Sequence, residues 1–332
     1  LLSHRSTQNI NPKTSLSIVV CVKNGEKHVN NIQYLKNQKL LSNELIIVDD
    51  FSSDNTLALL EKFRSADTQI VTPDEDLKGK KSALKKGILS ATKDIVLLTD
   101  IDCTPASDQW ASKILQSYKE DQDIILGYGP YLKFPGLLNK LLRYETVLTA
   151  IQYLSYALYH IPYMGVGRNL SYKKSVFLNS DQFSSHMHIP SGDDDLFIAS
   201  VGKQHKVGVC LDPDSFTYSE PEKTWRSFYK QKSRHISTSS AYSLLHKLLL
   251  SVGSSSHILI FVLLLILVTL GSVQLAFYIF FFRLFLLTFI LAPAISKLKE
   301  KDLIYYLPLL DVILFLYYVI LIPALIFKRK EW

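Results

Sequence analysis

The chain has little cysteine: Cys21, Cys103 and Cys210 are the only three in 332 residues. An odd number, scattered at no ligand spacing, provides neither a disulfide framework nor a zinc motif, and it fits a reducing compartment. No Ser-His-Asp or Cys-His arrangement stands out, so covalent catalysis by an activated nucleophile has no candidate. The formal net charge is only +7, and no basic stripe interleaves with aromatics, which argues against a nucleic-acid groove. No internal repeat, low-complexity tract or secretory signal is visible. The sequence starts Leu1-Leu2-Ser3-His4-Arg5 without an initiating methionine, which reads as the tail of something longer, with an N-terminal segment such as a membrane helix expected upstream. Residues 1–14 are polar and read as a poorly ordered lead-in.

What the chain does have is apolar strands that end in acids. Ile95-Val96-Leu97-Leu98-Thr99-Asp100-Ile101-Asp102 is the clearest. Side chains alternate along a strand, so Asp100 and Asp102 lean the same way, and two such anions repel unless a cation sits between them. Hard oxygen ligands of this kind suit Mg²⁺ or Mn²⁺, usually with a substrate phosphate. Upstream, Ser17 to Val22 reads as a buried strand running into Lys23-Asn24-Gly25-Glu26. Glu44-Leu-Ile-Ile-Val-Asp49-Asp50 is a second strand with acids at its end, followed by a helix from Thr56 that Ser53 or Asp54 can cap. Strands separated by helical patterns imply βαβ units, and in an open α/β sheet ligands bind at the carboxyl ends of strands.

These motifs, in this order, resemble the family-2 glycosyltransferases, inverting enzymes of the GT-A fold that use nucleotide-activated sugars. The resemblance covers roughly residues 15–240. The V-x-x-x-N-G/E pattern lies within Val19 to Gly25 and includes Asn24, and V-D-D-x-S-x-D is matched from Val48 to Asp54. By resemblance, Asp49 and Asp50 meet the uracil or ribose of a donor. Lys78-Gly79-Lys80-Lys81-Ser82-Ala83-Leu84 looks like the helix start whose lysine, here Lys80, approaches the nucleotide. Asp100 and Asp102 match the D-x-D metal motif, Asp102 as the direct ligand. Gly165-Val-Gly167-Arg168-Asn169 looks like the loop bordering the sugar, so Gly165, Arg168 and Asn169 are assigned to the acceptor or sugar pocket. Ser191-Gly192-Asp193-Asp194-Asp195-Leu196 resembles the element that supplies the catalytic base. Matching Asp195-Leu196 to the family's D-L makes Asp193 the base, with Asp194 the alternative in another register. Gln231-Lys-Ser-Arg234-His235 resembles the Q-x-x-R-W motif that lies over the donor diphosphate, and it departs from it in having His235 for tryptophan.

From about residue 257 the composition changes to that of a different solvent. Residues 257–294 carry a single charged side chain, Arg283, over roughly 57 Å of helix at 1.5 Å per residue, against a hydrocarbon core of about 30 Å. Two spans are implied, with Gly271-Ser272 as the turn and residues 248–256 lengthening the first. Residues 303–327 form a third apolar stretch interrupted by Pro308, Asp311 and Pro323. The segments at 296–302 and 327–332 are both basic and both favour the cytoplasmic side. They cannot both lie there if the third stretch crosses once, so two or three spans are expected, the last crossing, re-entrant or in-plane. Residues 139–160 read as a Tyr- and Leu-rich helix, and 225–250 as an amphipathic approach to the bilayer.

The expected architecture is therefore an α/β GT-A nucleotide-sugar-binding domain with a Rossmann-like mixed sheet over residues 15–240, followed by a membrane region over 241–332. The expected function is inverting, metal-dependent transfer from a nucleotide sugar, a UDP-sugar by resemblance, to a lipid-linked or glycan acceptor. The expected partners are that donor, the acceptor and membrane lipids, with no nucleic acid. The expected location is a bacterial inner (plasma) membrane with the catalytic domain on the cytoplasmic side. A processive polysaccharide synthase is the alternative within the class. A nucleotidyltransferase and a non-catalytic membrane adaptor are the alternatives outside it.

Overall fold

The computed structural model describes residues 1, 15–40, 43–74, 79–189, 191–238 and 241–326. The polar segment 1–14, Lys78 and the basic segment 327–332 lie outside the described residues. The strands are β1 (Leu16–Val22), β2 (Asn43–Asp49), β3 (Thr68–Val71), β4 (Ile95–Asp100), β5 (Cys103–Pro105), β6 (Ile124–Leu126), β7 (Leu170–Lys173), β8 (Val207–Val209) and β9 (Thr217–Ser219). The helices are α1 (Ile32–Lys36), α2 (Thr56–Leu60), α3 (Lys80–Ser90), α4 (Trp110–Gln116), α5 (Leu137–Leu158), α6 (Lys174–Leu178), α7 (Asp195–Val201), α8 (Trp225–Thr238), α9 (Leu244–Thr269), α10 (Val273–Lys297) and α11 (Leu307–Ile326).

The chain divides into two compact units, one of Ser3–Leu132 with Gln152–Glu220, the other of Lys133–Ile151 with Pro221–Trp332. The sequence places the boundary near 240, whereas here 133–151 and 221–240 group with the C-terminal helices. The reason is packing within that second unit. Phe228 of α8 stacks on Tyr317 of α11 with ring centroids 5.5 Å apart, and Lys232 pairs with Glu145 of α5 at 2.5 Å.

The first unit is built on a seven-stranded sheet of order β3-β2-β1-β4-β7-β6-β8, with a separate β5-β9 pair. β1, β2, β3 and β4 are mutually parallel, and β7 runs antiparallel to both β4 and β6. This is the mixed α/β sheet the motifs imply. Alternation along β1 explains its near-continuous apolar run: Ile18, Val20 and Val22 join a core with α1 and α4, including Ile32, Trp110 and Ile114, while Val19 faces α3. α3 lies so close to the sheet that a Cβ on Gly87 would stand 2.5 Å from Val19 and 2.8 Å from Val48. The chain leaves β1 towards β2 and β3 and returns to add β4 on the opposite side of β1. That reversal opens a crevice at the carboxyl ends of β1 and β4.

In the second unit α9, α10 and the stretch Lys301–Ile322, which runs into α11, are long and apolar enough to cross a membrane. Gly271, at φ +81°, makes the turn between α9 and α10, a conformation glycine adopts without steric cost. α9 begins at Leu244, so the polar-flanked residues before 257 do lengthen the first span. Three charged or polar side chains meet inside this apolar set. The Arg283 guanidinium forks onto the Asp311 carboxylate, with Nη2 to Oδ1 at 3.0 Å and Nη1 to Oδ2 closer still. His257 contacts Arg283 through Nδ1 at 3.1 Å and Asp311 O through Nε2 at 3.2 Å. In hydrocarbon an isolated charge is costly, and pairing of this kind is what makes it tolerable.

Candidate active site

The acids that end β2 and β4, the start of α3 and the residues before α7 converge in the first unit. Lys80, the first residue of α3, reaches Asp100 Oδ1 at 3.1 Å and Asp193 Oδ2 at 3.0 Å. One cation thus bridges the D-x-D motif and the expected base. Gly79, at φ +118°, gives α3 its entry angle, and its N–H donates to Asp50 Oδ1 at 2.9 Å, tying the end of β2 to the lysine. The crowded cleft disfavours a charge on Lys80, but Asp100 and Asp193 outweigh this and hold the ammonium well above its ordinary range.

Asp193 and Asp194, adjacent in sequence, are held differently. Asp194 Oδ2 accepts from the Gly167 N–H and Oδ1 from the Asp195 N–H, both at 2.7 Å, which caps α7 and fixes the Gly167 turn. Burial, then Asp193 and Asp195, push its carboxyl up to about 7. Asp193 is buried too, which by itself raises a carboxyl, but Lys80 draws it below the ordinary range. Asp193 is therefore the ionised member and Asp194 the tethered one.

Ligand atoms of Asp100, Asp102 and Cys103 lie within 4.8 Å of one another. Burial and the Asp100 charge raise the Asp102 carboxyl, a like-charge repulsion that a divalent cation would relieve. Burial and the same acids keep the Cys103 thiol protonated, so the sulfur fills space and the donor set is the carboxylate pair, which suits Mg²⁺ or Mn²⁺.

The remaining sequence-assigned residues fall into three groups. Asn24 sits at φ 49° after β1 and clasps the β2–α2 loop, accepting from the Ser53 N–H at 2.8 Å and donating its own N–H to Ser52 Oγ at 2.9 Å. Asp50 also meets Lys23 Nζ at 3.4 Å, whereas Asp49 is buried, accepts from the Ser52 N–H at 3.1 Å and leaves Oδ1 without a partner. Around Gly167, Arg168 projects beside the D-x-D corner. Asn169 and Gly165, expected at the sugar, are buried instead. Asn169 accepts from Trp110 Nε1–H at 3.0 Å and donates to the carbonyls of Tyr128 and Ser215, each at 2.8 Å, so it holds the turn from behind. Gly165 packs among Leu126, Leu170 and Ile198. Gln231 and Arg234 lie on α8 in the second unit with Arg234 exposed, and the side chain of His235 lies outside the described residues.

Three residues near the site carried no local signal. Tyr131 and Ser219 meet Arg168. Lys81 is buried and donates to the carbonyls of His186 at 2.5 Å and Ile189 at 2.9 Å, pinning the segment that leads to Asp193.

A mixed α/β sheet with carboxylates at its reversal point and a lysine linking them to a helix-start acid defines a GT-A-type α/β domain. Residues 17–180, just under half of the chain, match the family described as Glycosyl transferase family 2. It is 30% identical over 132 residues to the poly-β-1,6-N-acetyl-D-glucosamine synthase of Staphylococcus aureus. That stretch is 40% of this chain and 29% of the relative's length. The fold is also that of a mannosyltransferase from Pyrobaculum calidifontis solved with GDP-Man and Mn²⁺, at a TM-score of 0.57 and 13% identity, covering 95% of this chain and 91% of that one.

Proposed function

We propose that the chain is an inverting glycosyltransferase that moves a sugar from a nucleotide-sugar donor, a UDP-sugar in the first instance, to a lipid-linked or membrane-proximal acceptor in cell-envelope glycan or glycolipid synthesis. The observation that carries this reading is the Lys80 bridge between Asp100 and Asp193, because it sets the acids of a donor site and a candidate base around one centre. The apolar helices α9 to α11 favour a membrane-held enzyme whose acceptor arrives laterally in the bilayer.

In this mechanism Asp193 accepts the proton of the acceptor hydroxyl as its oxygen bonds to the anomeric carbon. The bond from that carbon to the donor diphosphate breaks on the opposite face, and its electron pair leaves with the nucleoside diphosphate, so the anomeric centre inverts. Asp194, tied to Gly167 and Asp195, holds the helix start that aims Asp193. Asp50 and Asn24 shape the nucleotide end, and Lys80 keeps Asp193 ionised. Asp102 and Asp100 would hold a divalent cation, which when bound supplies positive charge to the departing diphosphate.

The S. aureus relative's name favours a second reading, a processive polysaccharide synthase, which the replacement of the motif's tryptophan by His235 disfavours. The test is nucleoside diphosphate release by the full chain in detergent across a panel of nucleotide sugars, with Mn²⁺, Mg²⁺ or chelator, and with membrane lipid extract as acceptor. Metal-dependent turnover of one donor that rises with lipid and disappears in Asp193→Asn supports the proposal, and product length separates single transfer from polymerisation. No turnover on any donor, with no metal-dependent nucleotide binding, would overturn it and favour the adaptor.

A further inference from the structure

Among the described residues three arginines are wholly or partly buried, and one of them differs from the others. Arg143 pairs with Glu300 and Asp302, and Arg283 with Asp311. Arg168 has no carboxylate partner among the described residues. Its Nη1 donates to the Ser219 hydroxyl at 2.8 Å, its guanidinium carbon lies 4.8 Å from the centre of the Tyr131 ring, and its Nε is buried with no acceptor. These partners orient the side chain without neutralising it.

The surroundings hold the group in place. Gly167 is tied to Asp194 and Asn169 to Trp110, Tyr128 and Ser215, so the turn carrying Arg168 is fixed on both sides. A Cβ on Gly129 would stand 2.4 Å from Arg168 Nε and 2.8 Å from its Cγ, so the absent side chain there is the space the arginine fills. The nearby acid, Asp102, belongs with Asp100 to the carboxylate pair. A rigidly held, half-buried guanidinium whose hydrogen-bond partners are neutral, and which Asp102 attracts without an ion-pair contact, is left short of an anion that would complete it, and its planar fork matches phosphate oxygens.

We infer that Arg168 is an oxyanion receptor that takes a phosphate group of a substrate, beside the acids of the D-x-D corner. The inference rests on the glycosyltransferase reading for the location of that substrate. Two sources carry the same chemistry: the donor's diphosphate, and an acceptor that is itself a lipid phosphate.

The test uses the full chain in detergent, wild type against Arg168→Gln, Arg168→Lys and Ser219→Ala. UDP with Mn²⁺ probes the donor source, and polyprenyl phosphate against uncharged polyprenol probes the acceptor source. The expected result is that Arg168→Gln unfolds, without ligand, at or above the wild-type temperature, because an uncompensated charge has gone. It also loses at least about tenfold in affinity for one phosphate probe, equivalent to one charge-assisted contact, with polyprenol unaffected and Arg168→Lys intermediate. Loss confined to UDP assigns the donor, and loss confined to polyprenyl phosphate assigns the acceptor. If Arg168→Gln and Arg168→Lys both bind each phosphate probe within about twofold of wild type, or if wild type binds neither, the inference is overturned. A ligand-free stability loss in Arg168→Gln with unchanged affinities marks a purely structural strap and overturns it as well. Arg168-dependent phosphate binding in a protein that transfers no sugar would retain this site and refute the proposed reaction.

Discussion

Replacing Lys80 by methionine tests the centre of the site, because the stem keeps its length while the charge disappears. Two contacts are lost, at 3.1 Å to Asp100 and 3.0 Å to Asp193. Coulomb's law at an effective dielectric of about 20 gives roughly 5 kcal/mol for each, but the Lys80 side chain is 44% exposed and that of Asp100 32%, so solvent screening reduces the Asp100 contact to about 1 kcal/mol. Asp193, with an 8% exposed side chain, is left as an uncompensated buried carboxylate, and about 2 kcal/mol is reasonable for that contact. The sum of about 3 kcal/mol lowers the unfolding midpoint by about 6–10 °C for a domain of this size. The assay is thermal unfolding of the full chain in detergent, with chelator and with Mn²⁺. A divalent cation on Asp100 and Asp102 replaces part of the missing charge, so Mn²⁺ should recover a large share of the deficit in Lys80→Met and stabilise that variant more than wild type. A deficit identical with and without Mn²⁺ would refute the reasoning, because the lysine and the cation would then not share the same acids.

Asn169→Ala strands the Trp110 indole N–H and the Ser215 carbonyl inside the fold, while the Tyr128 carbonyl keeps the Thr217 N–H at 3.4 Å, and at about 1–3 kcal/mol for each unsatisfied group it should cost about 2–5 kcal/mol, measured by denaturant unfolding; a cost below about 1 kcal/mol contradicts the hydrogen-bond assignment. Asp311→Asn leaves the Arg283 guanidinium without its anion among apolar helices and should destabilise by about 3–5 kcal/mol, with Arg283→Met in the same chain recovering part of the loss; an additive double variant would show that the two do not interact. The Asp194 carboxyl is raised to about 7 in the folded chain, against an ordinary value of about 3.9. The stabilisation it contributes is complete below about pH 4 and lost as pH rises through 7. Wild type should therefore lose stability relative to Asp194→Asn across that window, and a pH-independent difference in midpoint would contradict it.

Much of the first unit was legible because its signals are local. The apolar run of β1 and the strand ending in Asp100 each follow from a few consecutive residues, whereas the expected cap of α2 falls one residue later, at Asn55, with Asp54 accepting the Thr56 N–H at 3.0 Å from outside the helix. The hairpin of α9 and α10 was legible for the same reason, since Gly271 interrupts an otherwise apolar run. The roles of Asn169 and Gly165 were not. A polar residue beside glycines looks the same whether it faces a ligand or ties three distant elements together, and only the positions of Trp110, Tyr128 and Ser215 distinguish the two.

By itself the sequence determined which strands form, where their acids emerge and which segments are apolar enough for a bilayer, because strand alternation, helix rise and turn chemistry depend on neighbours in the chain. Tertiary structure alone decided that Lys80 joins Asp100 to Asp193, that Asp194 is tethered while Asp193 is ionised, that Arg283 finds Asp311, and that Arg168 hydrogen-bonds to a hydroxyl. Pairing of charges is set by distance in space and by exclusion of water. Residues a hundred positions apart in the chain acquire both only when the sheet and helices close around them.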